Sequence, residues 1–181
     1  MPALPGPEGL SRSITFAESY LFAIELGLNC GSVLFYKRIQ EEDAMIHRWL
    51  FKTEPSAYSF QQLQQDKKTV WDGVKNNLAL KNLKEIQKGD EILIYHTGDE
   101  KAAVGVARAL SGAYPDPSKK DPKLLVVDIE PMKALPRPVT LAEVKANSRL
   151  KNFDLARLPR LSIMQVSDDQ WNLIEQMATN K

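Results

Sequence analysis

The sequence predicts a small α+β domain built around a curved or closed β-sheet. In residues 45–181, several short runs of strand-like composition are joined by turns, and helical patterns occur near the start and the end of this range. The chain has 181 residues, of which 43% are hydrophobic and 26% charged. This is ordinary for a globular protein with one core, and many short strands with few helices favour a curved or closed sheet.

The first 44 residues differ in charge from the rest of the chain. They carry 3 basic and 6 acidic side chains, against 21 and 17 in residues 45–181. Proline and glycine near the start disfavour regular structure, and a short helix at 14–28 and a strand at 33–36 are expected to follow. We interpret residues 1–44 as an N-terminal appendage, poorly ordered or placed in frame by a misassigned start, with Met45 as the natural first residue. A regulatory extension is the alternative.

The first elements of the domain follow from local signals. A strand is predicted at 46–52 from its aromatic and aliphatic residues, and Pro55 ends it. Ser59 is suited to cap a short helix, and a second strand is expected at 69–71. Apolar residues recur at helical spacing over 74–86, which predicts a helix that packs on one side and presents lysines to solvent.

The second half of the domain contains more strands than helices. A turn at 88–90 leads to a strand at 91–96, whose continuous apolar run predicts burial of both faces. A strand at 102–110 follows, in which Gly105 indicates a bulge or a close approach of another chain segment. The two prolines in residues 113–117 are expected to end this strand. Further strands are predicted at 124–129 and 161–166. Two capping-box patterns, Thr140 with Glu143 and Ser167 with Gln170, mark helix starts.

Composition narrows the possible functions. The balance of 24 basic and 23 acidic residues disfavours a bulk polyanion binder, so any nucleic-acid contact is expected to be local. Cys30 is the only cysteine, which excludes an intramolecular disulfide and a cysteine metal cluster, and the two histidines form no paired metal motif. We therefore expect no cofactor, no metal and a cytoplasmic protein, or a nuclear one in a eukaryote. No apolar run is long enough to cross a bilayer, so no membrane partner is expected.

Residues 71–77 combine an indole, a carboxylate, a glycine, a cation and two amides. Such a group suits a flat polar ligand, because a base stacks on the indole while amides and a carboxylate hydrogen-bond its edge. The alternative is that Trp71 belongs to the core at the start of an amphipathic helix.

Catalysis has weaker support in the sequence. There is no nucleophile elbow, dinucleotide-binding fingerprint or phosphate loop. Lys52, Thr53, Glu54 and His96 offer groups for a hydrolase, but successive strand residues alternate faces, and a lone strand histidine is more often structural.

Six short segments carry recognisable motifs. They are Trp-Leu-Phe-Lys-Thr-Glu-Pro at 49–55, Trp-Asp-Gly-Val at 71–74, Tyr-His-Thr at 95–97, Tyr-Pro-Asp-Pro at 114–117, Pro-Val-Thr-Leu-Ala-Glu at 138–143 and Arg-Leu-Ser at 160–162. In the same order, and across essentially all of residues 45–181, they resemble the EVE domain. The resemblance implies a PUA-like fold, a small twisted β-barrel with peripheral helices.

The resemblance also implies a function and a set of site residues. It implies a non-enzymatic module that binds a modified base, such as modified cytosine, in DNA or RNA. A hydrolase resembling amidohydrolases and acting on a modified nucleoside or base is the alternative, and an adaptor for another protein is a third. The implied base pocket consists of Trp49, Lys52, Thr53, Trp71, Asp72, Asn76, Asn77, Tyr95 and His96. The implied rim or phosphate contacts are Lys75, Lys81, Tyr114, Arg160 and Ser162.

The chain departs from the family pattern after the Trp-Asp-Gly-Val motif. Many relatives have Arg-Asn-Tyr at this point, whereas this chain has Lys75, Asn76 and Asn77. The positive charge is retained, but an amide replaces an aromatic ring. Thr53 and Thr97 occupy positions where serine is common, so the hydroxyl groups remain.

Overall fold

The computed structural model describes residues 46–180. The helix predicted at 14–28, the strand predicted at 33–36 and Cys30 lie outside these residues. The remaining secondary-structure predictions can be compared with the structure.

Seven strands form a mixed sheet in this part of the chain. Their order is β2-β6-β4-β3-β1-β7, and β5 pairs separately with β6. The β1 and β3 strands are parallel, and the other neighbouring pairs are antiparallel. The strands are β1 (Arg48–Thr53), β2 (Thr69–Trp71), β3 (Glu91–His96), β4 (Ala102–Ala109), β5 (Tyr114–Pro115), β6 (Leu125–Thr140) and β7 (Ile163–Gln165).

The sheet curls strongly enough to bring distant strands together. The rings of Phe51 in β1 and Trp71 in β2 are 5.2 Å apart, although β6, β4 and β3 lie between these strands in the sheet order. Register shifts occur between Ile94 and Tyr95 in β3 and twice along the β4–β6 pairing. Because such bulges increase local twist, they bend the sheet into a half-barrel. The predicted PUA-like α+β fold is confirmed.

The helices lie at the periphery of the sheet, and three of those in the described part begin at capping residues that the sequence predicted. Ser59, Thr140 and Ser167 each accept a backbone N–H at a helix start. No helix among residues 46–180 is long and apolar enough to span a membrane. The helices are α1 (Phe60–Asp66), α2 (Asn77–Glu85), α3 (Leu141–Ala146), α4 (Asp154–Arg157) and α5 (Asp168–Thr179), with a 3-10 turn at Ser148–Leu150.

The first helix packs its leading ring against the sheet. Phe60 is buried over Gly105 of β4, where an added Cβ atom would lie 2.3 Å from the ring. The Phe60 N–H donates to Nε2 of His96 at 3.0 Å, which fixes the start of α1 on β3. The close approach predicted from Gly105 is confirmed, and a strand register shift occurs there too.

Helix α2 is shorter than the predicted helix at 74–86. The side chain of Asn76 accepts hydrogen bonds from the N–H groups of Leu78 and Ala79 at 2.9 and 3.1 Å, so it ends the preceding loop and starts the helix. Lys75 therefore precedes the helix. Leu78, which was predicted to pack, is 46% exposed.

Strand β6 is longer than predicted. It continues past 129 to Thr140 despite three prolines, which the sequence pattern treats as strand breakers. Pro131 pairs with Ala107 where the β4–β6 register shifts, so its missing N–H coincides with an irregular step of the ladder. The 3-10 turn and α4 were not predicted.

Candidate functional site

An open groove of about 470 Å³ lies where the C-terminal ends of β1 and β2 approach each other. The curl of the sheet creates it, because these two strands are not neighbours in the sheet. Its lining comes from the end of β1 and the following turn, from β2 and the loop after it, and from one residue preceding β7. The lining residues are Lys52, Thr53, Glu54, Ala57, Tyr58, Thr69, Val70, Trp71, Asp72, Gly73, Val74 and Ser162.

The indole of Trp71 forms an aromatic wall of the groove. It is partly exposed and packs on the buried ring of Phe51, with the two planes inclined by 48°. A ring supported in this way loses little conformational freedom when a flat ligand stacks on it. The site therefore provides a partly exposed aromatic surface that is rigidly supported by the buried ring of Phe51.

Lys52 supplies a positively charged donor that is held in place. Its Nζ donates to the carbonyl oxygens of Leu158 and Pro159, each at 3.3 Å. The same atom lies 6.0 Å from the centre of the Tyr95 ring, within the range of a cation–π contact. Burial lowers the pKa of Lys52 from its ordinary value. The ammonium group is thus fixed beside the groove rather than free in solvent.

Hydrogen bonds also fix the turn that follows β1. The Thr53 hydroxyl donates to the Tyr58 carbonyl at 2.8 Å, and the Tyr58 hydroxyl donates to Asp66 at 2.8 Å. Burial and the Asp66 carboxylate raise the pKa of Tyr58. The carboxylate of Glu54 accepts from the Thr97 hydroxyl at 2.6 Å. This side of the groove is therefore ordered before a ligand enters.

The opposite side is the loop after β2. Asp72 is exposed in the groove, and Gly73 follows with a φ of +74°, a backbone conformation that other residues rarely adopt. Glu54 and Asp72 give the groove two carboxylates against the single ammonium group of Lys52. This balance suits the edge of a base, with its donors and acceptors, better than a phosphate group.

Five of the sequence-predicted site residues lie together in the groove. Lys52, Thr53, Trp71, Asp72 and Ser162 all line it. They come from segments more than a hundred residues apart, which the sheet brings together through β1 and the chain before β7. A backbone hydrogen bond joins the end of β1 to the residue before β7: the N–H of Lys52 donates to the carbonyl oxygen of Ser162 at 2.8 Å.

Three other predicted pocket residues lie beneath the surface. Trp49 is 1% exposed, and its indole N–H donates to the buried carboxylate of Asp90 at 2.8 Å, so the structure places it in the core. Tyr95 is buried below Lys52. His96 is buried too, with Nε2 accepting from Phe60 and Nδ1 2.5 Å from Glu100.

The other predicted residues do not line the groove. Asn76 caps α2 and Asn77 is its first residue, and Lys75 and Lys81 are exposed. The Tyr114 hydroxyl donates to Asp128 at 2.8 Å, which raises the pKa of the tyrosine. Arg160 is exposed two residues before Ser162.

The sequence did not single out four lining residues, Ala57, Tyr58, Thr69 and Val70. Tyr58 could have been found from the sequence, because it lies in the short turn between β1 and the helix cap Ser59. A turn this short keeps Tyr58 near Thr53. Thr69 and Val70 reach the groove only because the sheet curls, and no local pattern encodes that closure.

Comparison with known proteins places this geometry in a family. The model of the EVE domain matches residues 47–177. Human thymocyte nuclear protein 1 is 29% identical over 160 residues, covering 70% of this chain and 71% of that protein. An uncharacterized protein from Schizosaccharomyces pombe is 29% identical over 169 residues, covering 76% of this chain and 71% of its own length.

Solved structures show the same fold. A Rhodopseudomonas palustris protein determined by NMR is 37% identical, with a TM-score of 0.70, covering 74% of this chain and 93% of its own. The crystal structure of human THYN1 in complex with DNA containing 5-methylcytosine has a TM-score of 0.69 at 27% identity, covering 75% of this chain and 99% of that one. The chain belongs to the EVE domain family.

Proposed function

We propose that this protein binds nucleic acid without catalysis and holds a modified base, such as modified cytosine, in the groove beside Trp71. The observation that carries the proposal is the Trp71 ring, supported by Phe51 and facing a groove in which hydrogen bonds hold Lys52, Thr53 and Glu54. The base would stack on the indole, and its edge would face Lys52, Asp72 and Glu54. The complex of human THYN1 with DNA containing 5-methylcytosine supports the choice of ligand.

The polar groups of the groove suit a base that carries an amino group. Carboxylates accept hydrogen bonds from the exocyclic amine of cytosine, and an ammonium group donates to its ring and carbonyl acceptors. An unpaired or flipped base is required, because the faces of a base in a duplex are stacked on its neighbours and its Watson–Crick edge is already hydrogen-bonded. DNA and RNA both present such bases.

The hydrogen bonds of the candidate catalytic groups support binding over hydrolysis. Lys52 donates to two carbonyl oxygens and Thr53 donates to a third. A general base needs a lone pair aimed at its nucleophile, and a nucleophilic hydroxyl needs its proton near that base. His96 uses both ring nitrogens in buried contacts.

The test uses the full chain and a panel of ligands. Oligonucleotides with and without 5-methylcytosine, as single-stranded DNA, duplex DNA and RNA, are titrated while the products are analysed by mass spectrometry. We expect tighter binding of at least one modified form and no product. Equal affinity for modified and unmodified forms would contradict the proposal, and turnover abolished in Lys52→Ala would establish the hydrolase instead.

A further inference from the structure

Basic residues are concentrated in one segment of the domain, residues 145–160. It contains five basic side chains and one acidic side chain. The remainder of residues 46–180 contains 15 basic and 16 acidic side chains, so the net positive charge of the described part resides in this segment. Its basic residues, all exposed, are Lys145, Arg149, Lys151, Arg157 and Arg160.

Few basic side chains of the 145–160 segment are paired with a carboxylate, as is also the case for exposed lysines elsewhere in the described part, such as Lys75 and Lys119. Within residues 46–180, Arg157 is its only cation in an ion pair, at 3.6 Å from Asp154. In contrast, Arg48, Arg108, Lys133 and Arg137 each lie within 3.2 Å of a carboxylate. With five basic side chains and one carboxylate, the segment carries a net positive charge that attracts anions.

The backbone of the segment is anchored to the core, so the attachment points of its charged side chains have fixed positions. Leu150 and Phe153 are fully buried and Leu155 is 3% exposed. The side chain of Asn147 accepts from the N–H of Arg149 at 3.0 Å and caps the 3-10 turn. Anchored cations lose less conformational entropy on binding than cations on a mobile loop.

The segment also reaches the groove directly. Its carbonyl groups at Leu158 and Pro159 accept the hydrogen bonds of Lys52, which lines the groove. Arg160 is two residues from Ser162, another lining residue. A strand with a base in the groove must pass over the groove's edge, and its phosphates need cations there.

We infer that the 145–160 segment binds the backbone phosphates of the nucleic-acid strand whose base occupies the groove. The inference rests on the proposed function for the choice of strand, but its own chemistry is separate. The groove would discriminate between bases, whereas the segment would supply affinity that is independent of sequence and sensitive to salt.

The test measures affinity against salt concentration for the full chain. The probes are single-stranded DNA oligonucleotides of about 12 nucleotides with one central 5-methylcytosine or cytosine. The variant Arg149→Gln with Lys151→Gln is compared with Lys119→Gln and Lys120→Gln. The control removes the same charge from exposed positions that lie between Asp116 and Asp121.

The slope of log K against log[salt] is negative, and we expect the segment variant to reduce its magnitude by about 0.7 for each phosphate that is no longer neutralised, or about 1.4 in total. Affinity for the methylated and the unmethylated probe should fall by the same factor. The control should leave the slope within about 0.3 of the wild type. Lys145→Gln, added to the double variant, should reduce the magnitude of the slope further.

The outcomes separate this inference from the proposed function. If the segment variant and the control change the slope equally while Trp71→Ala removes the base preference, the segment assignment is wrong and the groove assignment remains. If the segment variant reduces the magnitude of the slope but no probe shows a base preference, the groove assignment is wrong and the phosphate surface remains. A segment variant that changes base preference rather than slope would also overturn the inference.

Discussion

At the scale of single residues, Asp90 shows how a buried charge is accommodated in this fold. Its carboxylate is 2% exposed and accepts from the N–H of His47, the indole of Trp49 and the N–H of Gln87, at 3.0, 2.8 and 3.0 Å. Because all three partners are donors, the site requires an acceptor with two oxygens. The carboxylate joins the start of β1 to the turn before β3.

Replacing Asp90 by asparagine should destabilise the fold, because an amide group would face one of these donors. We expect the free energy of unfolding to fall by about 1.5–3 kcal/mol, measured by urea denaturation. Asp168→Asn is the matched control, since it removes an ion pair whose carboxylate is 79% exposed and should cost less than about 1 kcal/mol. Equal losses of stability in the two variants would refute the structural role of Asp90.

Gly105 is a residue whose size, rather than its flexibility, matters. A Cβ atom at this position would lie 2.3 Å from the buried ring of Phe60. Gly105→Ala should therefore cost about 1–3 kcal/mol of stability through overpacking. Gly112→Ala is the control, because the nearest atom to its Cβ would be 3.5 Å away. Thermal or urea unfolding that ranks Gly112→Ala as the more damaging change would contradict the packing described for α1.

At the scale of elements, the side chain of Asn76 has two possible roles, as a ligand contact or as a helix cap. The sequence assigned it to the base pocket through family resemblance, while the structure shows it accepting the first N–H groups of α2. An alanine substitution removes the whole amide group and so would abolish either role, and by itself it would not distinguish them. The substitutions must separate capping ability from the amide itself.

Asn76→Ala should lower stability by about 1 kcal/mol, the usual cost of removing an N-cap side chain. Asn76→Ser keeps an N-cap acceptor and should retain most of the stability. If the residue acts only as a cap, the folded serine variant should bind nucleic acid like the wild type in a fluorescence-anisotropy titration. A large loss of affinity in that variant, with stability retained, would instead identify the amide as a ligand contact.

Elements with local signals were predictable from the sequence, and elements that depend on long-range pairing were not. Ser59, Thr140 and Ser167 marked helix starts correctly because a cap is a contact between residues three apart. The extension of β6 was missed because prolines normally stop a strand, and only the bulged partner strand β4 explains their tolerance. Leu78 fits a helical stripe yet is exposed, since the sequence does not show where α2 meets the sheet.

At the scale of the whole molecule, the same distinction applies to the groove. Trp71 and Lys52 could be proposed from sequence through motifs, but their meeting in one cavity depends on the curl that joins β1 to β2. Trp49 lies in one of the same motifs and is buried, with its indole directed to Asp90 in the core. Motif membership alone does not separate lining residues from supporting ones.

The acid stability of the domain should depend in part on Glu143. Hydrogen bonds from the backbone and hydroxyl of Thr140, with help from Arg137, lower the pKa of its carboxyl below the ordinary 4.5. A carboxyl whose pKa is lower in the folded state stabilises the protein above its unfolded pKa, and this contribution disappears as pH falls through the folded pKa. Glu143→Gln should therefore be less stable than the wild type near neutral pH, and the difference should shrink below about pH 4. Urea denaturation at several pH values measures it, and a constant difference would contradict the assignment.

We propose that a base stacks on Trp71 in a groove formed by the curl of the sheet. The most direct test is the affinity of full-length wild type, Trp71→Ala and Met132→Ala for oligonucleotides with and without 5-methylcytosine, with folding checked by circular dichroism. Met132 is an exposed apolar control at 44%. We predict that Trp71→Ala loses about 1–3 kcal/mol, roughly 5- to 150-fold in Kd, and most of the base preference, while Met132→Ala matches the wild type. A folded Trp71→Ala protein with unchanged affinity and unchanged base preference would show that no base stacks on Trp71.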